Sequence, residues 1–460
     1  ALAWAVDRPD SGAAVAELAG SLAEVLFDRG RPGEAQRLYE TAASVLPEPT
    51  GRRRLLRMAA GAAAARNVGG DAVELLRRSD AVALEVDDGD AAAHDMAQAA
   101  ALQLRAVGIM ARPAPVEKID ALLDRARAVS RGGAVAEAAI AVAAGWAPGS
   151  MARSRVHTEL AMAAAERAEQ ALLLDEALDQ LIALEIGDRR VADAIAAVDR
   201  RLEVLRDVPV DAASGFEVYD ALHMACHVNL AGGRLRAARR YADDVAALPF
   251  FREERHIGLG RRVEVDAVAG DFDAVIARAD LFERDWRRAG RPVASNLAVG
   301  AYAVAMTFGM VADEAARRRW IDITESLLGV SSGRSREHIW AAVLDAMLAL
   351  HRDHPDEALA LLDRNPTDPV DNANHVLWIP WYAALWAEAS VLCDHPASAT
   401  RLVDAAAAAA GNDIAVLMVE RAHHLREGNT EAVGASASRF AAADCPYQAD
   451  RARRLAGVAG

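Results

Sequence analysis

Three side chains with metal-binding chemistry, His223, Cys226 and His227, fall within the five residues HMACH. At i, i+3 and i+4 a helix carries all three on one face, and imidazole and thiolate are both zinc ligands. Zinc takes four ligands, or three and a water. No carboxylate is spaced to complete the set, so no metal is expected. His423 and His424 are adjacent and point to different faces. The carboxylate pairs Glu253–Glu254 and Asp87–Asp88 have the form of an acid–base couple. They also suit turns and first helical turns, where acid complements the helix dipole. The only lysine, Lys118 in VEKID, is in no GxxxxGK[ST] loop, and GLG at 258–260 lacks the rest of a dinucleotide fingerprint. HExxH and paired Cys/His zinc spacings are missing as well. The expectation is no catalytic residue and no cofactor.

These side chains sit in a chain of 460 residues, 53% hydrophobic and 26% charged, whose excess is alanine with leucine, arginine and glutamate. Those are strong helix formers, and a chain this long exceeds one ordinary core. Net charge is −15. Nucleic-acid affinity rests largely on cations meeting phosphate, so direct DNA or RNA binding is not expected. Arg52, Arg53, Arg54 and Arg57 form a local basic cluster, as do Arg317, Arg318 and Arg319; both read as helix faces paired with nearby acids. Cys226, Cys393 and Cys445 are isolated thiols, which fits a reducing cytoplasm. No apolar run is long enough for a membrane span. The opening ALAWAVDRPDSG has neither a signal-peptide pattern nor Met, and reads as a piece of something longer.

The elements that must position any site are repeats. SLAEVLFDRGRPGEAQRLYETAASVLP (Ser21–Pro47) carries Leu22, Ala23 and Leu26 on one helical face, a break at Gly30, then Ala35, Tyr39 and Ala42 on a second. HMACHVNLAGGRLRAARRYADDVAALP (His223–Pro249) repeats this 202 residues later, with Gly232 as the break and Tyr241 as the large residue. Such hairpins leave an apolar face uncovered, so neighbours must stack. The pattern resembles the tetratricopeptide repeat, well at 16–49 and 218–251. The match is weaker at 380–411, where Asp394 replaces the turn glycine. Helix pairs continue at about 53–67 with 71–86, 91–108 with 115–130, 168–186 with 189–207, 293–309 with 312–328, 335–352 with 355–363, and 412–426 with 430–442. The expected fold is all-α: an α-solenoid of stacked antiparallel helix pairs, tetratricopeptide-like. Its halves are 1–208 and 209–460, or one continuous array. Breaks are expected at Ala147–Ser154, Asp207–Gly215 and Arg364–Asn374.

The resemblance also implies a concave groove lined by the first helix of each unit. It assigns Glu17, Glu24 and Phe27 in one unit, Tyr219, Leu222, Cys226 and Asn229 in another, and Trp381 and Glu388 in a third. In HVLWIPWYAALWAEA (His375–Ala389) the frame puts Trp386 in the core, turns Trp381 toward the groove, and leaves Trp378 at its end. The segment SRFAAADCPYQADRARRLAG (Ser438–Gly457), with Pro446, Tyr447, Ala449, Arg451, Ala452 and Arg453, is similar to the closing motif of repeat arms in actinobacterial signalling ATPases, among them LuxR-type regulators and cyclase-linked ATPases. It predicts a closing helix near 446–457. That resemblance implies a non-catalytic regulatory arm. Its concave groove would bind a protein segment or small-molecule effector and control an upstream module. A free-standing peptide-binding scaffold is the alternative, and an enzyme with a pocket inside a helical repeat a remoter one. No membrane partner is expected; a homo-oligomer is compatible.

Overall fold

A single residue in left-handed conformation closes helix after helix. Gly30 (φ 83°) ends the first hairpin's leading helix, and the amide of the next residue, Arg31, reaches back to the carbonyl of Leu26 at 2.9 Å. That is the Schellman arrangement, which satisfies carbonyls a helix end leaves bare. The same pair of features recurs at Asn67, Asp87, Arg189, Ala312 and Asp394, with φ between 49° and 62°, and amide-to-carbonyl bonds Val68–Ala63, Asp88–Ala83, Arg190–Glu185, Asp313–Phe308 and His395–Ser390. Asp394 therefore does the work of the glycine it replaces.

The computed structural model describes residues 12–149, 151–330, 334–369 and 373–457; the opening segment through residue 11 and parts of the breaks near 150 and 370–372 lie outside them. The helices are α1 Gly12–Asp28, α2 Pro32–Val45, α3 Pro49–Ala65, α4 Gly69–Glu85, α5 Gly89–Arg105, α6 Val116–Val129, α7 Ala134–Trp146, α8 Met151–Arg167, α9 Ala171–Gly187, α10 Val191–Leu205, α11 Gly215–Ala231 and α12 Leu235–Ala247. They continue with α13 Arg255–Ala269, α14 Phe272–Arg288, α15 Ala298–Met310, α16 Glu314–Leu328, α17 Ile339–His351, α18 Pro355–Leu361, a single turn Ala373–Val376, α19 Ile379–Leu392, α20 Ser398–Ala409, α21 Asp413–Arg426, α22 Thr430–Ala442 and α23 Pro446–Leu455. Successive helices pack in pairs, and no strand occurs among the described residues. This is an all-α, solenoid-like repeat fold. No helix among the described residues is long and apolar enough to cross a membrane.

The repeat register needs a correction of one residue. Left-handed backbone falls at Gly30 and at Gly233, not Gly232 (φ −82°), so the units are offset by 203. Burial agrees: Ala35, Tyr39 and Ala42 answer to Ala238, Ala242 and Val245. Alanine matches at neighbouring positions disguise a one-residue slip, because alanine fits both faces. The slip moves the second unit's inward positions from Tyr219, Leu222, Cys226 and Asn229 to Asp220, His223, His227 and Leu230.

The array also folds back on itself. Helix α11 packs on α3, the turn Pro249–Phe251 packs on α1, and Phe27 stacks on Phe250 at 5.0 Å between centroids. The segment Val210–Ala213 is pinned: Asp211 accepts from the amides of Ala213 and Ser214, and the Ala212 carbonyl lies where a side chain on Gly61 would collide with it. In the second half, Asn412 donates to the Ala231 carbonyl at 2.8 Å and the Asp413 amide to that of Gly232 at 3.0 Å. The closing helix α23 is wedged among α13, α17, α19 and α21. Tyr447 seats on Gly270, Arg451 donates to the Leu350 carbonyl at 2.7 Å, and Arg421 to the Gln448 carbonyl at 3.0 Å.

Candidate functional site

The groove assigned from the repeat frame is largely filled. Trp381 is buried and its indole N–H donates to the Leu230 carbonyl at 3.1 Å. Trp378 and Trp386 are buried too. Tyr219, Cys226 and Asn229 lie in the core, the Asn229 amide bonding the Ala225 carbonyl, while Leu222 is half-buried. Glu388 is buried between Arg421 and Arg451. Trp386 is expected in the core; for the other buried side chains the expectation of an open groove is corrected, Trp381 meeting the Leu230 carbonyl of α11 and Glu388 meeting Arg451 of α23. Of the first unit's three, Glu17 and Glu24 are exposed and Phe27 is buried.

The HMACH cluster is built around an arginine. Arg261, fully inside the core, donates from Nε to His223 Nδ1 at 3.1 Å and from Nη1 to His227 and Glu264. Burial, then the nearby guanidinium, holds both imidazoles below their usual range, so they stay neutral acceptors. Among the described residues, no group of His, Cys, Asp and Glu is arranged to hold a metal ion.

Two further networks bury charge. Arg201, with no exposure, meets Asp175 through two bonds of 2.7 and 3.1 Å, Asp179 at 2.8 Å and Asp220 at 2.8 Å. Arg105 beside it pairs with Glu217, and Glu176 lies buried in range of both arginines. Burial raises Asp179 to about 6 and Glu176 to about 7 against the partial relief those guanidiniums give. The second network centres on Glu388, which accepts from Arg421 and Arg451 at 2.5 Å each. Burial alone would push its carboxyl up, but the two guanidiniums outweigh it and hold it at about 2. Asp175, Glu176 and Asp179 carried no signal in the sequence, because acids at helical spacing look the same on a solvated face.

The opening with the most built character lies where the first unit meets the segment Val210–Ala213. It is a cleft of about 650 Å³ between Glu24, Phe27 and Asp28 of α1, Tyr39 of α2, Arg53, Arg54, Arg57 and Met58 of α3, and the strap Val210–Ala213. Two of the residues assigned from sequence, Glu24 and Phe27, are in its wall. The basic cluster is paired as expected: Arg53 and Arg57 both bond the buried Asp95, Arg52 meets Glu85, and Arg54 stands 3.7 Å from Glu24. Arg317 and Arg319 are likewise paired, with Asp345 and Glu283. Arg57 and Ala213 also border a smaller chamber of about 100 Å³ that reaches Arg105, Glu176 and Glu217, so the cleft and the acid-rich network share a wall. A second opening, about 690 Å³ between α20 and α21, is mainly apolar, with Val403 exposed in it.

No protein-family model matches the chain, and no curated protein matches it.

Proposed function

We propose that this chain is a non-catalytic regulatory arm, tetratricopeptide-like in build. It receives a protein segment or small ligand and passes occupancy to an adjoining module of a cytoplasmic transcriptional or signalling ATPase. The observation that supports this most is the cleft between α1, α3 and Val210–Ala213, whose walls come from stretches far apart in sequence. A ligand there touches residues within 24–58 and 210–213 together, so its binding energy acts on how those segments meet. A ligand shifts such an equilibrium only by its differential affinity for the two arrangements, and a cleft closed by two separate segments provides that difference.

The test is a thermal-shift and calorimetric screen of metabolites and short peptides against the wild type and Val210→Trp. Val210 is 38% exposed at the cleft, so the larger ring fills the opening without entering the core. Ligands are expected to raise Tm in the wild type by a few degrees and to lose that effect in the variant. Hits that ignore Val210→Trp, or turnover of a hit, would overturn the reading.

A further inference from the structure

The Tyr39 end of the cleft has an unusual composition. The Tyr39 side chain is 1% exposed, yet its hydroxyl makes no hydrogen bond within the protein. Leaving a buried hydroxyl unpaired is costly, so a group kept in this state and bordering an opening points to a partner from outside. Around it stand Glu24, Asp28 and Asp211, close enough that, after burial, their charges are the next causes holding the phenol proton on. The arginines opposite offset them only in part, through Arg54, which stands 3.7 Å from Glu24. Arg53 and Arg57 are turned onto Asp95, and the Arg54 side chain is 74% exposed to water. Phe27 and Met58 supply an apolar floor.

We propose that this end of the cleft is a cation-receiving subsite. It takes a guanidinium or ammonium group against the Tyr39 hydroxyl oxygen, among Glu24, Asp28 and Asp211, with the group's aliphatic stem over Phe27 and Met58. The chemistry is that of an arginine-like side chain. A free basic metabolite and an arginine in a protein segment both supply it. The inference rests on the cleft being the arm's binding site.

The experiment is isothermal titration of the wild type, Tyr39→Phe and Asp28→Asn with four probes: L-arginine, agmatine, L-citrulline and a Gly-Arg-Gly peptide blocked at both ends. Citrulline keeps arginine's shape without its charge. Tyr39→Phe removes only an unpaired hydroxyl, so its Tm is expected to equal or exceed the wild type's, and a melt checks that it folds. At least one guanidinium probe is expected to bind the wild type and to lose about tenfold in affinity in both variants, with citrulline not binding. Binding of the blocked peptide alone assigns the subsite to a protein segment; binding of arginine or agmatine alone assigns it to a metabolite. Citrulline binding as well as arginine, or affinity unchanged in Tyr39→Phe, would overturn the cation subsite and leave the cleft as a binding site. Failure of all four probes while other ligands give Val210→Trp-sensitive shifts would do the same. Failure of every ligand in both experiments removes both proposals.

Discussion

Around Arg105 and Arg201, two guanidiniums meet five carboxylates; around Glu388, two guanidiniums meet one. Both networks are buried and both tie together helices distant in sequence. They differ in which charge is left over. At Glu388 the surplus is positive, and arginine cannot shed its proton. Neutral acceptors absorb it instead: the carbonyls of Leu350 and Gln448 and the Gln448 side chain. At Arg201 the surplus is negative, and carboxylates have another recourse, since they keep protons. A network of the first kind has one charge state across ordinary pH, whereas one of the second kind has several.

The largest expected effect comes from breaking the rigid network. Glu388→Ala leaves Arg421 and Arg451 facing each other without their shared anion. Removing one partner of a buried pair typically costs about 3–5 kcal/mol, to be read as a fall in the urea midpoint. A loss under about 1 kcal/mol would mean that the carbonyls, not Glu388, carry the site. Because Glu388 sits near 2 in the fold and near 4.5 ordinarily, the stability it contributes is present above pH 4.5 and lost as pH falls through 2.

The acid-rich network should have the opposite sign. Glu176 holds its proton to about pH 7 when folded, against an ordinary 4.5. Between those values the unfolded chain releases the proton first, so its contribution to stability is full below pH 4.5 and lost as pH rises through 7. At 1.36 kcal/mol per unit the swing is on the order of 3 kcal/mol; burial sets it first, with Glu217 adding to it and Arg105, Arg201 and Arg57 opposing it. Glu176→Gln, uncharged at every pH, should stabilise the protein at pH 8 and change little at pH 4.5. Melts of both proteins across that range at fixed ionic strength decide it. A wild type whose Tm does not fall toward pH 8 more than the variant's would place the negative charge elsewhere.

Neither network was legible beforehand, whereas the helix pairs were. Pairing shows in the sequence because each hairpin repeats an apolar stripe and a turn, and both are local. Even there, the sequence hides the pair α7–α8, since Ala147–Ser154 has the composition of a long break whereas α8 resumes at Met151. The inward face was readable as a set of positions but not as a surface. Whether Trp381 meets water or the Leu230 carbonyl depends on α11, which the chain forms about 150 residues earlier. Arg200 and Arg201 are neighbours of the same type, one exposed on Glu166 and the other sealed among aspartates. Nothing local separates them. The cleft was half visible: Glu24 and Phe27 were assigned, whereas Val210–Ala213 read only as a boundary.

Trp381→Phe tests that same contact at smaller scale. It keeps the ring in the core and removes one N–H donor from the Leu230 carbonyl, for an expected loss of about 1 kcal/mol by denaturant titration. A loss of ligand binding with no change in stability would instead return Trp381 to a binding role. Smallest of all, Arg54→Ala removes an exposed, 3.7 Å pairing with Glu24 and should shift stability by less than about 0.5 kcal/mol. A larger shift would erase the distinction between buried and solvated charge on which the comparison stands.

The wedge formed by α23 bears on how the protein is made. Leu350 and Glu388 wait for Arg451, and the Val268 carbonyl lies 4.0 Å from the Cys445 thiol, 177 residues further along. A ribosome delivers those partners last among the described helices. Until Pro446–Leu455 emerges, a nascent chain holds Glu388 against Arg421 alone and leaves the socket on Gly270 open to water. Chains clipped before Pro446 would therefore carry an interior left open at the faces that α23 otherwise covers.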